Sequence, residues 1–166
     1  MMKISLQQVI YLISVLNSKY DKLANEVGYE YLFPLKINDE VLDNQEKKAQ
    51  MQEDILALEV IGKDILTLKK ALGDANHALR EDNTSLYLLL EEVKLKRNLL
   101  ARMENALTGH RKEVVSGVGV ITYGVLNESL IRTKLDGLEK EVNGLSEKID
   151  RINSTTLIDV ELIGEY

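Results

Sequence analysis

Apolar residues recur at alternating spacings of four and three along the stretch from Asn127 to Asn153. This spacing is typical of a coiled-coil seam, in which each apolar side chain packs against a neighbouring helix. Charged residues of both signs fill the positions between them and indicate a solvated outer face. We therefore expect a helix at about 127–153 whose apolar side needs a partner, either in this chain or in another copy. The seam residues are Ile131, Leu135, Leu138, Val142, Leu145, Ile149 and Ile152.

Similar spacings predict three helices upstream, at about 5–26, 39–79 and 84–108. Asn38 or Asp39 is suited to cap the second of these helices. The third carries apolar residues over more than one stripe, so we expect it to be packed on two sides.

Short polar side chains stand where the third and fourth helices are expected to begin. Asn83 or Thr84 can cap the third helix, and Asn127 can cap the fourth. Such side chains accept hydrogen bonds from the free N–H groups of the first helical turn. The helix boundaries are therefore marked in the sequence as well as the helix interiors.

Two segments favour strands instead. Between 117 and 124, Val, Ile, Thr and Tyr are interleaved with glycine, which favours a short strand at about 118–123. The alternation across 157–163 suits a second strand. An isolated strand has two unpaired edges, so the first must pair with a loop of its own chain or with the same strand of another subunit.

These patterns predict a mainly α protein: a single domain over 1–166, forming an elongated helical bundle or antiparallel coiled coil with one or two short β-strands.

Composition narrows the function classes. The chain has 166 residues, a formal net charge of −6 and no cysteine. The acidic balance argues against bulk binding to nucleic acid or to an anionic membrane. Without cysteine there are no disulfides, thiolate nucleophiles or cysteine metal sites. The apolar run at 9–16 is too short to span a bilayer and no cleavage site follows it, so we expect a cytoplasmic protein.

Residues with the spacing needed for catalysis are not apparent. The two histidines, His77 and His110, do not form a two-ligand motif on one helix face. The pair Glu91 and Glu92 is adjacent on a helix, so its carboxylates diverge and do not form an acid–base dyad. No hydrolase or nucleotide-binding fingerprint occurs. We expect no enzyme activity, no metal and no cofactor.

Basic residues gather on the third helix and just after it, in an otherwise acidic chain. One interpretation is that these cations complement the helix dipole and keep a packed helix soluble. The other is an anion site, in which arginine forks hold phosphates and tyrosine rings stack on a base. The residues of this hypothetical site are Arg97, Arg102, Arg111, Tyr29, Tyr31 and Tyr123.

The order of elements in the C-terminal two thirds resembles the septicolysin-like family of small bacterial coiled-coil proteins. The resemblance rests on a helix end with a capped loop at Asn76 to Thr84, an apolar third helix, a short strand leading into a capped helix at Val118 to Asn127, and the segment Ile149 to Thr156. It implies an oligomeric, mostly helical protein without an established enzymatic activity.

Two functions are favoured at this point, ahead of an enzyme that acts across a subunit interface. The first is a non-enzymatic homo-oligomeric assembly or interaction protein, whose copies join through the seam and the strand near Val120. The alternative is a binding module that sequesters a small anionic ligand in pockets between subunits. A nucleotide signal captured by a viral or bacterial immune-evasion sponge would be such a ligand. The expected partners are thus other copies of the chain and, for the alternative, a small anion.

Overall fold

A computed structural model describes residues 1–29, 36–41, 44–109, 113–115, 117, 119–122 and 124–166. Four helices account for most of the described chain, which confirms a mainly α fold with a few short strands. The helices are α1 (Leu6–Tyr29), α2 (Gln45–Ala78), α3 (Leu86–Gly109) and α4 (Glu128–Thr155). The strands are β1 (Met2–Ser5), β2 (Lys36–Ile37), β3 (Glu40–Val41), β4 (Arg80–Glu81), β5 (Thr84–Ser85), β6 (Glu113–Val115), β7 (Val120–Thr122) and β8 (Leu157–Val160).

The chain forms two compact units. Unit 1 comprises Met1–Ala75 and Asn153–Tyr166, and unit 2 comprises Asn76–Ile152. The described strands pair as β1 with β8, β2 with β3, β4 with β5 and β6 with β7, and every pair is antiparallel. The order strand, helix, strand pair, helix, strand thus occurs twice along the chain, first from β1 to β4 and then from β5 to β8. The single domain expected from the sequence stays a prediction.

Unit 1 has a core built from both of its long helices and from the β1–β8 pair. The apolar side chains of α1 and α2 recur at helical spacing, so one face of each helix can be buried. β8 confirms the strand expected near 157–163, whereas β1 was not predicted from the sequence. The buried core residues are Ile4, Val9, Leu16, Ile61, Ile65, Leu68 and Val160.

Side-chain caps fix where α1 and α4 begin. The Ser5 hydroxyl accepts the backbone N–H of Gln8 at 3.2 Å, and the Gln8 side-chain oxygen accepts the N–H of Ser5 at 2.8 Å. This reciprocal pair is a capping box. At α4, the Asn127 side-chain oxygen accepts the N–H of Leu130 at 3.1 Å, which confirms the cap expected there.

The segment before α2 differs from the prediction. Asn38 and Asp39 have φ of 49° and 66°, and they form the turn between β2 and β3. Two consecutive residues with positive φ suit a two-residue hairpin, and Asn and Asp tolerate this conformation better than most residues. These two residues therefore do not cap a helix, and α2 begins only at Gln45.

The segment before α3 also contains a two-residue turn with positive φ. Asp82 and Asn83 have φ of 49° and 63° in the turn between β4 and β5. The hydroxyl of Ser85 accepts the backbone N–H of Leu88 at 3.3 Å, so Ser85 is the cap. The prediction of a cap at Asn83 or Thr84 was wrong, because Asn83 lies in the turn and Thr84 in β5.

The strand near 118–123 is observed as β7. It pairs with β6 in register from Glu113 opposite Thr122 to Val115 opposite Val120. Gly117 and Gly119, at φ of 92° and 68°, lie in the connection between the two strands. The sequence left open whether this strand pairs within its own chain or with another subunit. In the structure its partner, β6, belongs to the same chain.

Candidate functional site

The seam of α4 is covered to a large extent by the single chain. Leu135, Val142 and Ile149 are 8%, 7% and 6% exposed. The other four seam residues are half-buried: Ile131, Leu138, Leu145 and Ile152. The seam therefore contributes to the fold of one chain. An interface between copies along the same seam stays a prediction.

Helices α3 and α4 of unit 2 are antiparallel and are joined by polar side chains. The Lys96 ammonium lies 2.5 Å from Glu141 on α4 and 3.3 Å from Glu92 on its own helix. Hydrogen bonds to Glu141 and then to Glu92 raise the pKa of Lys96. Lys96, one of the clustered cations, thus bridges two carboxylates in the monomer.

Arg97 is also engaged between the two helices. Its guanidinium donates to the hydroxyl of Ser146 at 2.8 Å, and that hydroxyl donates in turn to the carbonyl of Val142 at 2.7 Å. Such a chain of donors and acceptors orients the guanidinium along the helix contact. Arg97 therefore helps to hold α3 against α4 within unit 2.

Arg102 lies elsewhere on α3. It follows Arg97 by five positions, which places the two side chains about 140° apart around the helix. Arg102 is exposed, and within the described part of the chain no ion pair joins it to a carboxylate. The structure does not bring these two arginines together. The Tyr29 side chain lies outside the described residues, as do Arg111, Tyr31 and Tyr123, so the anion site stays a prediction.

A second polar contact joins the β4–β5 turn to α4. Lys148 donates to Asp82 at 2.5 Å, and Arg151 donates to Glu81 at 2.7 Å. The hydrogen bond and the positive charge of Lys148 lower the pKa of Asp82. Next to these pairs is an open cleft of about 450 Å³ that also includes Gly144. The opposite charges are largely matched among themselves.

A larger cleft of about 550 Å³ lies between α3 and α4. Leu107 and Leu135 supply its apolar surface, whereas carboxylates and one arginine supply the rest. That arginine, Arg132, donates to Glu128 at 2.6 Å. The charged groups of the cleft are Glu104, Arg132, Asp136 and Glu139. Three carboxylates beside one paired arginine do not suit an anion.

Unit 1 contains a buried carboxylate that was not singled out from the sequence. Asp64 on α2 is 0% exposed. Its oxygens accept the backbone N–H groups of Ile163 at 2.8 Å and Gly164 at 2.9 Å, and the phenol hydroxyl of Tyr166 at 2.8 Å. Burial raises the pKa of this carboxyl, but the three hydrogen bonds outweigh it, so the pKa lies below its ordinary value. The carboxylate fixes the segment 163–166 on α2.

A sequence signal for this contact exists. Asp64 lies at helical spacing among Ile61, Ile65 and Leu68, which are buried on the same face of α2. A charged residue on an apolar stripe is almost always paired, because an unpaired buried charge is costly. The position of Asp64 on this stripe therefore indicates a structural contact, but it does not reveal the partner residues.

An apolar stripe of α3 is left uncovered. Leu88, Leu95 and Leu99 are 55%, 66% and 50% exposed, whereas Leu89 and Val93 on another face are 4% and 5% exposed. The expectation that α3 is packed on two sides was therefore wrong for the single chain. One side of α3 is buried, and the other presents leucines to solvent.

Within the described residues, no cluster of three or more histidine, aspartate or glutamate side chains is placed to hold a metal ion. None of the described helices contains a stretch that is both long and apolar enough to cross a membrane. Comparison with family models, with curated proteins and with solved structures gave no match.

Proposed function

We propose that this protein is a non-enzymatic, homo-oligomeric helical assembly protein. The observation that supports this proposal best is the exposed leucine stripe of α3, at Leu88, Leu95 and Leu99. Single exposed leucines are ordinary on protein surfaces, but a stripe at coiled-coil spacing is typical of a helix that docks on another helix.

The charged residues of unit 2 form ion pairs with one another, which supports a structural role for them. Lys96 bridges two carboxylates, and Lys148 and Arg151 bind the acidic residues of the β4–β5 turn. These contacts hold the helix pair and its turn together. The family resemblance implies the same kind of protein, namely an oligomeric helical one.

The experiment that tests the proposal is sedimentation velocity of the unmodified chain over about a hundredfold range of concentration. The expected result is a species whose mass is a multiple of 18.8 kDa, with dissociation on dilution. A species of 18.8 kDa throughout the range would contradict the proposal.

Native mass spectrometry of gently purified protein separates this function from anion sequestration. An oligomer without an added mass supports the assembly protein. An oligomer that carries a small anion would favour the sequestration hypothesis and would identify the ligand by its mass. In that case the exposed Arg102 would be the first residue to replace, because Arg97 is bound to Ser146.

A further inference from the structure

We propose that α3 docks in antiparallel orientation on α3 of a second copy, with Glu92 of each copy opposite Arg102 of the other. This inference rests on the proposed function, since it assigns the surface through which the copies join. It also replaces the α4 seam with a different helix face as the contact between chains.

The docking surface follows from the positions of six residues on α3. Each residue of a helix advances by about 100°, so these six lie within an arc of about 80°. In a heptad assignment they occupy the a and d positions, which form the contact surface of a coiled coil. The face of α3 that contacts α4 lies elsewhere around the helix, at Lys96 and Arg97. We call the six residues the α3 stripe: Leu88, Glu92, Leu95, Leu99, Arg102 and Ala106.

The stripe is complementary to itself in only one orientation. In an antiparallel pair of helices, each a position of one helix faces a d position of the other. One register sets Leu95 opposite Leu99 and, in the same alignment, Glu92 opposite Arg102. A parallel pair would instead place arginine against arginine and glutamate against glutamate, which is unfavourable.

The ends of the stripe fit the same register. Leu88 of one copy then lies opposite Ala106 of the other, so a large side chain meets a small one. An interface with twofold symmetry repeats every such contact, because residue i contacts residue j and j contacts i. Two central leucine pairs are therefore flanked by two ion pairs.

The existing contacts leave these charges free to pair between copies. Within the described residues, no ion pair involves Arg102. Glu92 is bound to Lys96, but its side chain is 47% exposed and Lys96 has a second carboxylate in Glu141. Glu92 can thus turn to a second copy without leaving Lys96 unpaired.

Charge reversal tests the register directly. Arg102→Glu and Glu92→Arg should each raise the dissociation constant of the oligomer by at least roughly tenfold, because like charges then face each other. The double variant Glu92→Arg with Arg102→Glu restores opposite charges and should restore association. The matched control is Lys94→Glu, which makes the same charge change as Arg102→Glu on an exposed position outside the stripe.

The readout is sedimentation velocity, with circular dichroism to show that each variant keeps its helices. Loss in both single variants with recovery in the double variant supports the proposal. Association that is unchanged in both single variants overturns it, and so does a double variant that remains dissociated.

A second measurement does not depend on charge. Because the chain has no cysteine, Leu95→Cys and Leu99→Cys introduce single thiols. In the proposed register, Leu95 of one copy faces Leu99 of the other. Mild oxidation of a mixture of the two variants should therefore form the mixed disulfide in preference to either homodimer. Preferential linkage of Leu99→Cys chains to each other would overturn the antiparallel register.

Failure of this inference is distinguishable from failure of the proposed function. An unmodified chain that sediments as an oligomer and resists the charge reversals leaves the assembly function in place and removes only this docking surface. An unmodified chain that sediments as a monomer overturns both.

Discussion

The phenol hydroxyl of Tyr166 donates a hydrogen bond of 2.8 Å to the carboxylate of Asp64, across 102 positions of sequence. The backbone N–H groups of Ile163 and Gly164 donate to the same carboxylate. A Cβ added at Gly164 would lie 2.5 Å from the end of the Tyr166 ring, so a larger residue there would have to displace the ring. The fold of unit 1 thus depends on a polar contact as well as on its aliphatic core.

Replacement of Asp64 by alanine should strongly destabilise unit 1. The change leaves two backbone donors and a phenol without their acceptor, and we expect the free energy of unfolding to fall by about 2–4 kcal/mol. Urea denaturation followed by circular dichroism measures this loss. Glu59→Ala, on the same helix, removes only an exposed pair with Lys63 and should cost less than about 0.5 kcal/mol. Equal losses in the two variants would show that Asp64 does not bind the segment 163–166.

The same contact predicts a loss of stability at alkaline pH. Burial and then the hydrogen bond to Asp64 raise the pKa of Tyr166 from 10.0 to about 12. Since the folded pKa is the higher one, the stabilisation is complete below pH 10 and is lost as the pH rises to 12. The residue is 49% exposed, so solvent screening limits the loss to about 1 kcal/mol.

Tyr166→Phe is the matched variant for this titration. The informative quantity is the difference in unfolding free energy between the two proteins, because it isolates the contribution of the Tyr166 phenol. That difference should shrink between pH 10 and pH 12. A difference that stays constant over this range would mean that the Tyr166 phenol is not bound to a carboxylate.

The two serine caps should contribute measurably to stability. Ser85→Ala leaves the N–H of Leu88 without its acceptor and should lower the free energy of unfolding by about 1 kcal/mol. Ser5→Ala disrupts a reciprocal pair with Gln8 and should cost at least as much. Ser18→Ala is the control, because Ser18 lies inside α1 and alanine favours a helix interior. A serine-to-alanine change at position 85 without effect would place the start of α3 elsewhere.

Substitutions on α3 and α4 should separate folding from assembly. Val142 on α4 is 7% exposed, so Val142→Ala should lower the free energy of unfolding by about 1–3 kcal/mol. Leu99 on α3 is 50% exposed, so Leu99→Ala should weaken association while it changes monomer unfolding little. Thermal unfolding of dilute protein and sedimentation of concentrated protein measure the two quantities. If Val142→Ala weakened association and Leu99→Ala lowered the free energy of unfolding, the α4 seam would be the interface instead.

The helices were predictable because their signal is local and repeated. The seam from Ile131 to Ile152 and the cap at Asn127 are both visible in the sequence, and the structure contains both. The cap of α3 was harder to place, because five consecutive polar residues, Arg80 to Thr84, precede Ser85. Two of them, Asp82 and Asn83, form a turn with positive φ. Several residues of similar propensity compete at such a position, and tertiary structure decides between them.

Long-range pairing was not predictable from local pattern. β1 has four residues, and its partner β8 begins at Leu157, so neither strand specifies the other. The tyrosines of the anion hypothesis were grouped by residue type alone, and the side chains of four of its six residues lie outside the described part of the chain. The exposure of the α3 leucines was not predictable either, because apolar residues occur on more than one side of this helix and only tertiary packing decides which side is buried.

Sedimentation equilibrium of the unmodified chain is the measurement that shows most directly whether the protein assembles with itself. We expect a mass that is a multiple of 18.8 kDa and falls towards 18.8 kDa on dilution. A mass of 18.8 kDa at every concentration would contradict it, and the exposed leucines of α3 would then need another explanation.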